Sequence, residues 1–201
     1  MALVGTSDPE SREDSELVMS ARAGEVEARE ALGRKVSRDA YVFALQLTSD
    51  PDASQDIAQD AVLRFFRSLD SFDERRRIEP WLYQIVRNLV RDRGRRQVVR
   101  RYESLDEQLD SGRPPAVAID EAADPAVQAD RARLRERIWR CVDQLSDDHR
   151  EIFVLRDHHQ LSYREIAEVL SIPEGTVMSR LHAARMKLRA LLAADAGGLD
   201  R

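Results

Sequence analysis

The chain has 201 residues, of which 42% are apolar, 5% aromatic and 34% charged, a profile that suits one mid-sized domain or two small helical ones. No apolar run approaches the roughly 18–20 residues of a membrane span. Segment 1–17 is acidic and polar rather than signal-like, and the single Cys141 cannot close an internal disulfide, so a reducing, cytoplasmic setting without membrane insertion is expected. The formal net charge of −5 conceals a pattern. Residues 71–101 hold ten arginines against four acids, residues 175–192 hold four cations and no acid, and residues 102–130 hold eight acids against one arginine. Phosphate binding responds to local potential, not to whole-chain charge. Two basic patches flanking an acidic spacer therefore suggest nucleic acid, and the plainer alternative is a pair of solvated helix faces.

In chain order, residues 16–48 read as helical but weakly patterned. Residues 53–70 are clearer, with Ile57, Ala58, Ala61, Val62, Phe65, Phe66 and Leu69 at helical spacing. Asp50, Pro51 and Asp52 make a turn and start in front of them. A polar loop from Ser71 to Glu79 follows, then a helix headed by Pro80. Its buried face is Trp81, Leu82, Ile85, Val86 and Leu89, and Gln84, Arg87, Asn88, Arg91 and Arg95 gather opposite. Residues 103–130 lack a period and carry the breaker Ser111 to Pro115, which predicts a flexible acidic linker. Its acids could also shield the basic faces.

Helical pattern resumes near Ala132, with Leu134, Ile138, Val142 and Leu145 on one face, and Ser146 is a candidate cap for a helix through Ile152, Phe153 and Leu155. Ser162 and Glu165 have capping-box spacing and open a short helix with Ile166, Ala167 and Leu170. After the turn Ser171 to Gly175, the last helix carries Val177, Leu181, Ala184, Leu188 and Leu191 at alternating spacings of four and three. No stretch alternates like a strand, so the fold class is all-α, with two small helical domains.

The short helix, tight turn and amphipathic helix at 162–192 form a helix-turn-helix candidate, although an ordinary helical hairpin would show the same spacing. A recognition helix packs one face on its domain and turns the other to the major groove. Opposite Val177 lie Met178, Ser179, His182, Ala183 and Met186. Arg180 and Lys187 stand on one flank and Arg185 on the other, placed for phosphates on both sides of a groove. The centre lacks Arg, Asn and Gln, so base readout by Ser179 and His182 is expected to be modest.

Leu161–Leu170 (LSYREIAEVL) followed by Ser171–Arg185 (SIPEGTVMSRLHAAR) resembles region four of the extracytoplasmic-function sigma factors of the sigma-70 family. Asp50–Asp60 (DPDASQDIAQD), Leu69–Phe72 (LDSF) and Trp81–Ile85 (WLYQI), with Arg87 and Asn88 after them, resemble region two. Together the likenesses cover roughly 24–101 and 134–192. The domains implied are region two over 16–101, a linker over 102–131 and region four over 132–194.

The resemblance implies a non-enzymatic subunit, without metal or cofactor, that brings core RNA polymerase to chosen promoters. Region two would bind the β′ clamp helices through Asp56, Gln59, Asp60, Leu63 and Arg67. Helix-dipole placement is the plainer reading of Asp56 and Asp60. Region two would also hold the unwound −10 element through Ser71, Phe72, Arg75, Arg76, Arg77, Trp81, Gln84, Arg87, Asn88, Arg91 and Arg95, cations on the backbone and a pocket for a splayed base. Trp81 could stack on a base or simply pack. Region four would meet the β flap and read the −35 duplex through Ser162, Tyr163, Glu174, Thr176, Met178, Ser179, Arg180, His182, Arg185 and Lys187. An anti-sigma factor is the implied regulator.

The chain departs from the family pattern at several positions. Met178 and Ala183 stand where basic residues are common, and Ile78 where the −10 loop often has an aromatic. Arg29 and Gly33 replace an aromatic pair, and Gly33 lowers helix propensity by about 1 kcal/mol relative to alanine, so the first helix is expected to be short or loosely packed. Three rival readings are weaker. A stand-alone regulator leaves the Asp50–Phe72 block unexplained. An enzyme on nucleic acid lacks converging ligands, with adjacent His158 and His159 expected to point apart and Cys141 to fill space. A DNA-free adaptor leaves the arginines without a role.

Overall fold

Asp50 shows how local chemistry sets the helix boundaries. Its Oδ1 accepts a hydrogen bond from the Ala53 N–H at 3.0 Å, and Pro51 takes the first helical position, where a missing N–H loses nothing. This cap starts α3 (Pro51–Ser68) directly after α2 (Val26–Thr48), which ends on Ser49 in the left-handed region. The computed structural model describes residues 9–103 and 125–197. Before α2 comes α1 (Pro9–Arg22). After α3 come a 3₁₀ turn (Leu69–Ser71) and α4 (Ile78–Glu103). These elements form one compact unit. The second unit holds α5 (Pro125–Asp143), α6 (Asp147–Phe153), a π turn (Val154–His158), α7 (Tyr163–Leu170) and α8 (Glu174–Gly197). Among the described residues there is no strand, and no helix is long and apolar enough to cross a membrane.

Several boundaries differ from the sequence expectation. Residues 16–48 are two helices, because Gly24 adopts φ +90°, a conformation that Gly tolerates and other residues resist. α4 begins at Ile78, so Pro80 is its third residue, still inside the first turn, where N–H groups lack helical partners. α5 begins at Pro125, seven residues before Ala132. Leu134 is solvent-exposed, and the buried residues that follow are Cys141, Val142 and Leu145. Ser146 occupies the cap position of α6, but its side chain makes no cap bond. The acidic linker and its proposed shielding role fall largely on residues 104–124, outside the described residues.

The first core joins Leu32, Val36, Ala40 and Phe43 of α2, Ile57, Ala61 and Phe65 of α3, and Leu82, Tyr83 and Val86 of α4, with Val18 and Ala21 closing it from α1. Phe43 and Tyr83 meet at 4.5 Å between ring centroids. The second core joins Val142, Ile152, Leu155, Leu161, Ile166, Val169, Val177, Leu181 and Ala184.

Gly33 does not shorten α2, which runs 23 residues and buries Ala28 and Leu32 before it and Val36 after it. The Phe66 ring covers this segment. Arg29 lies 5.4 Å from its centroid, and a Cβ on Gly33 would stand 3.7 Å from Phe66 Cε2, an ordinary contact. The two glycines therefore give opposite outcomes. Gly33→Ala raises unfolding stability by about 0.5–1 kcal/mol through helix propensity. Gly24→Ala lowers it by about 1 kcal/mol through left-handed strain. Urea titration of both variants checks the pair.

Candidate nucleic-acid and polymerase interfaces

In the first unit, one side chain makes most of the polar contacts that hold the segment between the 3₁₀ turn and α4. Arg22, at the end of α1, donates from Nε to the Leu69 carbonyl at 2.9 Å and from Nη2 to the same oxygen at 2.6 Å. Nη2 also donates to the Phe72 carbonyl, and Nη1 pairs with Glu74 Oε2 at 2.7 Å. Ser15 adds a bond to the Glu74 carbonyl at 2.5 Å. Guanidinium alone offers five donors in a fixed plane, which suits a turn whose carbonyls converge. From inside, Phe72 is buried and stacks on Trp81 at 4.7 Å with rings 22° apart, and Trp81 in turn meets Phe65 at 4.5 Å. Ile78 is a core residue. The segment expected to be a flexible polar loop is thus fastened at both faces.

Behind it lies a partly buried ionic cluster. Lys35 Nζ reaches Glu79 Oε1 at 2.9 Å and Asp14 Oδ1 at 3.0 Å, and Arg77 Nε lies 3.4 Å from Glu79 Oε2. Burial works against the Lys35 ammonium, but bonds from Glu79 and Asp14 outweigh it and hold its pKa above the ordinary value. Burial also opposes ionisation of Glu79, yet Lys35 keeps this carboxyl below its ordinary range. Burial pushes the Asp14 carboxyl up despite its bond to Lys35.

The candidate −10 residues separate by exposure. Ser71, Arg75, Arg76, Gln84, Asn88, Arg91 and Arg95 face solvent, and Arg77 and Trp81 are half-buried. Phe72 and Arg87 are turned inward, Arg87 to 7% exposure, so the solvent stripe on α4 lacks one arginine that helical spacing had assigned to it. Arg95 pairs with Asp92 one turn back, which lowers the Asp92 pKa. On α3, Asp56, Gln59, Asp60, Leu63 and Arg67 are all exposed, opposite buried Ile57, Ala61 and Phe65. Asp56 accepts from Arg93 of α4 at 3.2 Å.

In the second unit, both halves of the capping box form: Glu165 N–H donates to Ser162 Oγ at 3.3 Å and Ser162 N–H to Glu165 Oε2 at 2.7 Å. Ser171 at φ 55° ends α7 and turns the chain into α8. α8 buries Val177, Leu181, Ala184 and Leu188 and exposes Glu174, Met178, Ser179, His182, Ala183, Arg185, Met186 and Lys187, with Thr176 and Arg180 half-buried. Two cations of this helix are anchored to neighbouring elements. Arg180 Nη1 lies 3.2 Å from Asp148 Oδ2. Arg185 grips Asp157 with both arms, at 2.5 Å and 3.2 Å, a bond that raises its pKa further. Tyr163 is half-buried with the Arg156 guanidinium 5.2 Å from its ring centroid.

His158 and His159, expected to point apart, instead meet edge-to-face at 4.8 Å, because the chain between α6 and α7 widens into the π turn. His158 also meets the Trp139 ring at 5.5 Å. Burial, with help from His158, drives His159 down to about 3. Cys141 is buried, and among the described residues no group of three His, Cys, Asp or Glu could hold a metal.

Sequence reasoning missed Ser15, Arg22, Lys35 and Asp14, whose partners lie 44 to 59 residues away for Lys35–Glu79 and Ser15–Glu74. Removing Arg22 leaves the Leu69 and Phe72 carbonyls and Glu74 without their donor. Arg22→Gln therefore lowers stability by about 2–3 kcal/mol and speeds tryptic cleavage after Arg75 and Arg76, read by limited proteolysis. His159 gives a pH dependence. Its folded pKa of about 3 lies below the unfolded 6.5, so unfolded chains bind the extra proton. Stability from this group is complete above pH 6.5 and declines as pH falls toward 3. Urea unfolding followed by Trp139 fluorescence in a Trp81→Phe background gives a lower midpoint at pH 5 than at pH 7, and His159→Leu shrinks that difference.

Both units match known protein families. The family model described as Sigma-70 region 2 matches residues 32–100, and the one described as Sigma-70, region 4 matches residues 135–188. The chain is 33% identical over 152 residues to the ECF RNA polymerase sigma factor SigW of Bacillus subtilis, covering 74% of this chain and 80% of that protein. It is 30% identical over 181 residues to the RNA polymerase sigma-H factor of Pseudomonas aeruginosa, covering 86% and 90%. Among solved structures, it is similar to the sigma factor RpoE bound to the anti-sigma factor NepR from Bartonella quintana, at TM-score 0.66 and 24% identity over 85% of this chain and 99% of that one. It is also similar to CnrH in complex with the cytosolic domain of CnrY, at TM-score 0.62 and 25% identity over 90% and 98%.

Proposed function

The chain belongs to the extracytoplasmic-function sigma factors of the sigma-70 family, and from that membership we propose how its residues divide the work of promoter recognition. The observation that carries the reading is that region-2 and region-4 matches occur in order in one chain, each on a unit with an exposed cationic helix.

The first unit, over 16–101, docks on the β′ clamp helices of core RNA polymerase through α3. Leu63 is the apolar anchor, with Asp56, Gln59, Asp60 and Arg67 around it, an arrangement typical of a contact with a desolvated centre and polar rim. The same unit holds the −10 strand. Arg75, Arg76, Arg91 and Arg95 supply backbone cations, and Gln84 and Asn88 supply hydrogen bonds. Ser71 and Arg77 belong to the same loop, which Arg22 keeps in place. Phe72, Trp81 and Arg87 shape and support this surface from within. A splayed base would seat at the open edge of the Phe72–Trp81 stack.

The second unit, over 132–194, meets the β flap and lays α8 in the −35 major groove. Arg180, Arg185 and Lys187 engage phosphates, Glu174, Thr176, Ser179 and His182 stand near the groove, and Ser162 and Tyr163 approach the backbone from α7. An anti-sigma factor covers the polymerase- and DNA-facing surfaces until it is released, a reading supported by the fold shared with RpoE, solved with NepR. The protein acts in the cytoplasm, where polymerase is, and catalyses no reaction of its own.

Gel filtration with core polymerase and run-off transcription from a supercoiled promoter library test the proposal. The native chain co-elutes with core and yields discrete start sites. Leu63→Asp weakens core binding at least about tenfold, the loss expected when a charge replaces a buried apolar anchor. Arg91→Glu with Arg95→Glu leaves core binding intact but abolishes promoter opening. Normal opening by the double charge reversal would exclude α4 as the −10 surface.

A further inference from the structure

We propose that Met178 reads a thymine of the promoter duplex through its 5-methyl group, so that α8 selects its site by apolar contact; this rests on α8 being the duplex-binding helix. Met178 and Met186 are 54% and 50% exposed, two of the few large apolar side chains left in solvent among the described residues. With His182 between them at intervals of four, they form one row along the helix. That row crosses the exposed face obliquely, from Met178 beside Arg185 to Met186 opposite buried Val177. It is bordered by cations whose carboxylate partners hold them to the sides, Arg180 with Asp148 and Arg185 with Asp157. The face therefore has charge complementary to two phosphate walls, with two exposed thioethers between its charged edges.

Elimination then names the base. Arg, Asn and Gln, whose paired donors and acceptors read guanine and adenine, are missing from the row. Ser179 donates its hydroxyl hydrogen to the Thr176 carbonyl at 3.1 Å, so it turns only acceptor capacity outward. Met178 is the fifth residue of α8, within the N-terminal part that approaches base edges in this kind of docking. A thioether entering the groove there loses water on all sides and needs an apolar partner. The major-groove edge of DNA has one such group, the thymine methyl. Met186 stands about 12 Å further along at 1.5 Å per residue, near the end of the reach of bases.

Deoxyuridine isolates this contact, because it pairs as thymine does and lacks only the methyl. Holoenzyme reconstituted from the full chain and core polymerase first selects promoters from a library randomised across the upstream element. Each selected thymine is then replaced singly by deoxyuridine, and competitive binding is measured at fixed salt. One position weakens wild-type binding by about fourfold, the value for burial of one methyl-sized group. Met178→Ala loses that sensitivity, and Met178→Leu keeps it. Indifference of the wild type to every replacement, an upstream element without thymine, or undiminished sensitivity in Met178→Ala each overturns the inference while leaving the sigma reading intact. A holoenzyme that selects no promoter at all overturns both.

Discussion

The first unit depends on a single guanidinium. Arg22 gathers two backbone carbonyls and a carboxylate from residues 69–74 onto the end of α1. Without such a donor, the turn between α3 and α4 would direct those carbonyls into a half-buried space with nothing to satisfy them. Phe72 and Ile78 are drawn into the core on either side of it, and Arg75 and Arg76 between them are presented outward as a consequence. Lys35 extends the same logic one layer deeper, joining Asp14 of α1 to Glu79 of α4. The surface proposed to meet a flexible single strand is thereby built on a rigid base, and the helix that rigidifies it contributes no residue to the candidate contact set.

The second unit manages its charge differently. Two cations of α8, Arg180 and Arg185, are satisfied locally by Asp148 and Asp157. Exposed pairs of this kind contribute little stability, about 0–1 kcal/mol each, so a phosphate can replace the carboxylate at small loss. Meanwhile the pairs restrain long side chains that would otherwise sample many rotamers. Asp56 and Arg93 stand in the same relation in the first unit. The overall net charge of −5 coexists with exposed cationic helices because acids hold arginines in position as well as filling the spacer.

What was legible in the sequence follows the range of the interactions. The capping box at Ser162, the Asp50–Pro51 start and the buried row of α8 are written within one or two turns of chain, and they appear where spacing put them. The solvent stripe of α4 was right except at Arg87, where the side chain is drawn inward. The break at Gly24 was missed because the apolar pattern is weak on both sides of it. The start of α5 at Pro125 was missed because residues 125–131 hold one large apolar side chain, Val127, and so show no helical period. The Arg22 clamp and the Lys35 cluster had no local signal at all, since their partners are distant and Glu79 was assigned to a loop. The meeting of the two histidine rings required the π turn, which spacing at 3.6 residues per turn does not describe.

The clamp also orders events in time. Arg22 and Ser15 are translated well before the residues they hold, which lie 47 to 59 positions downstream. At about 5–20 residues per second, α1 waits several seconds on the ribosome with its donors still bonded to water. The segment expected to hold the −10 strand can take its shape only after that wait, through contacts of high sequence separation, which form late because loop closure must precede them. Assembly of this loop is therefore a closing step of first-unit folding, so a chain released or cut before residue 79 lacks both the packing of α4 on α2 and α3 and the Lys35–Glu79 pair behind the loop.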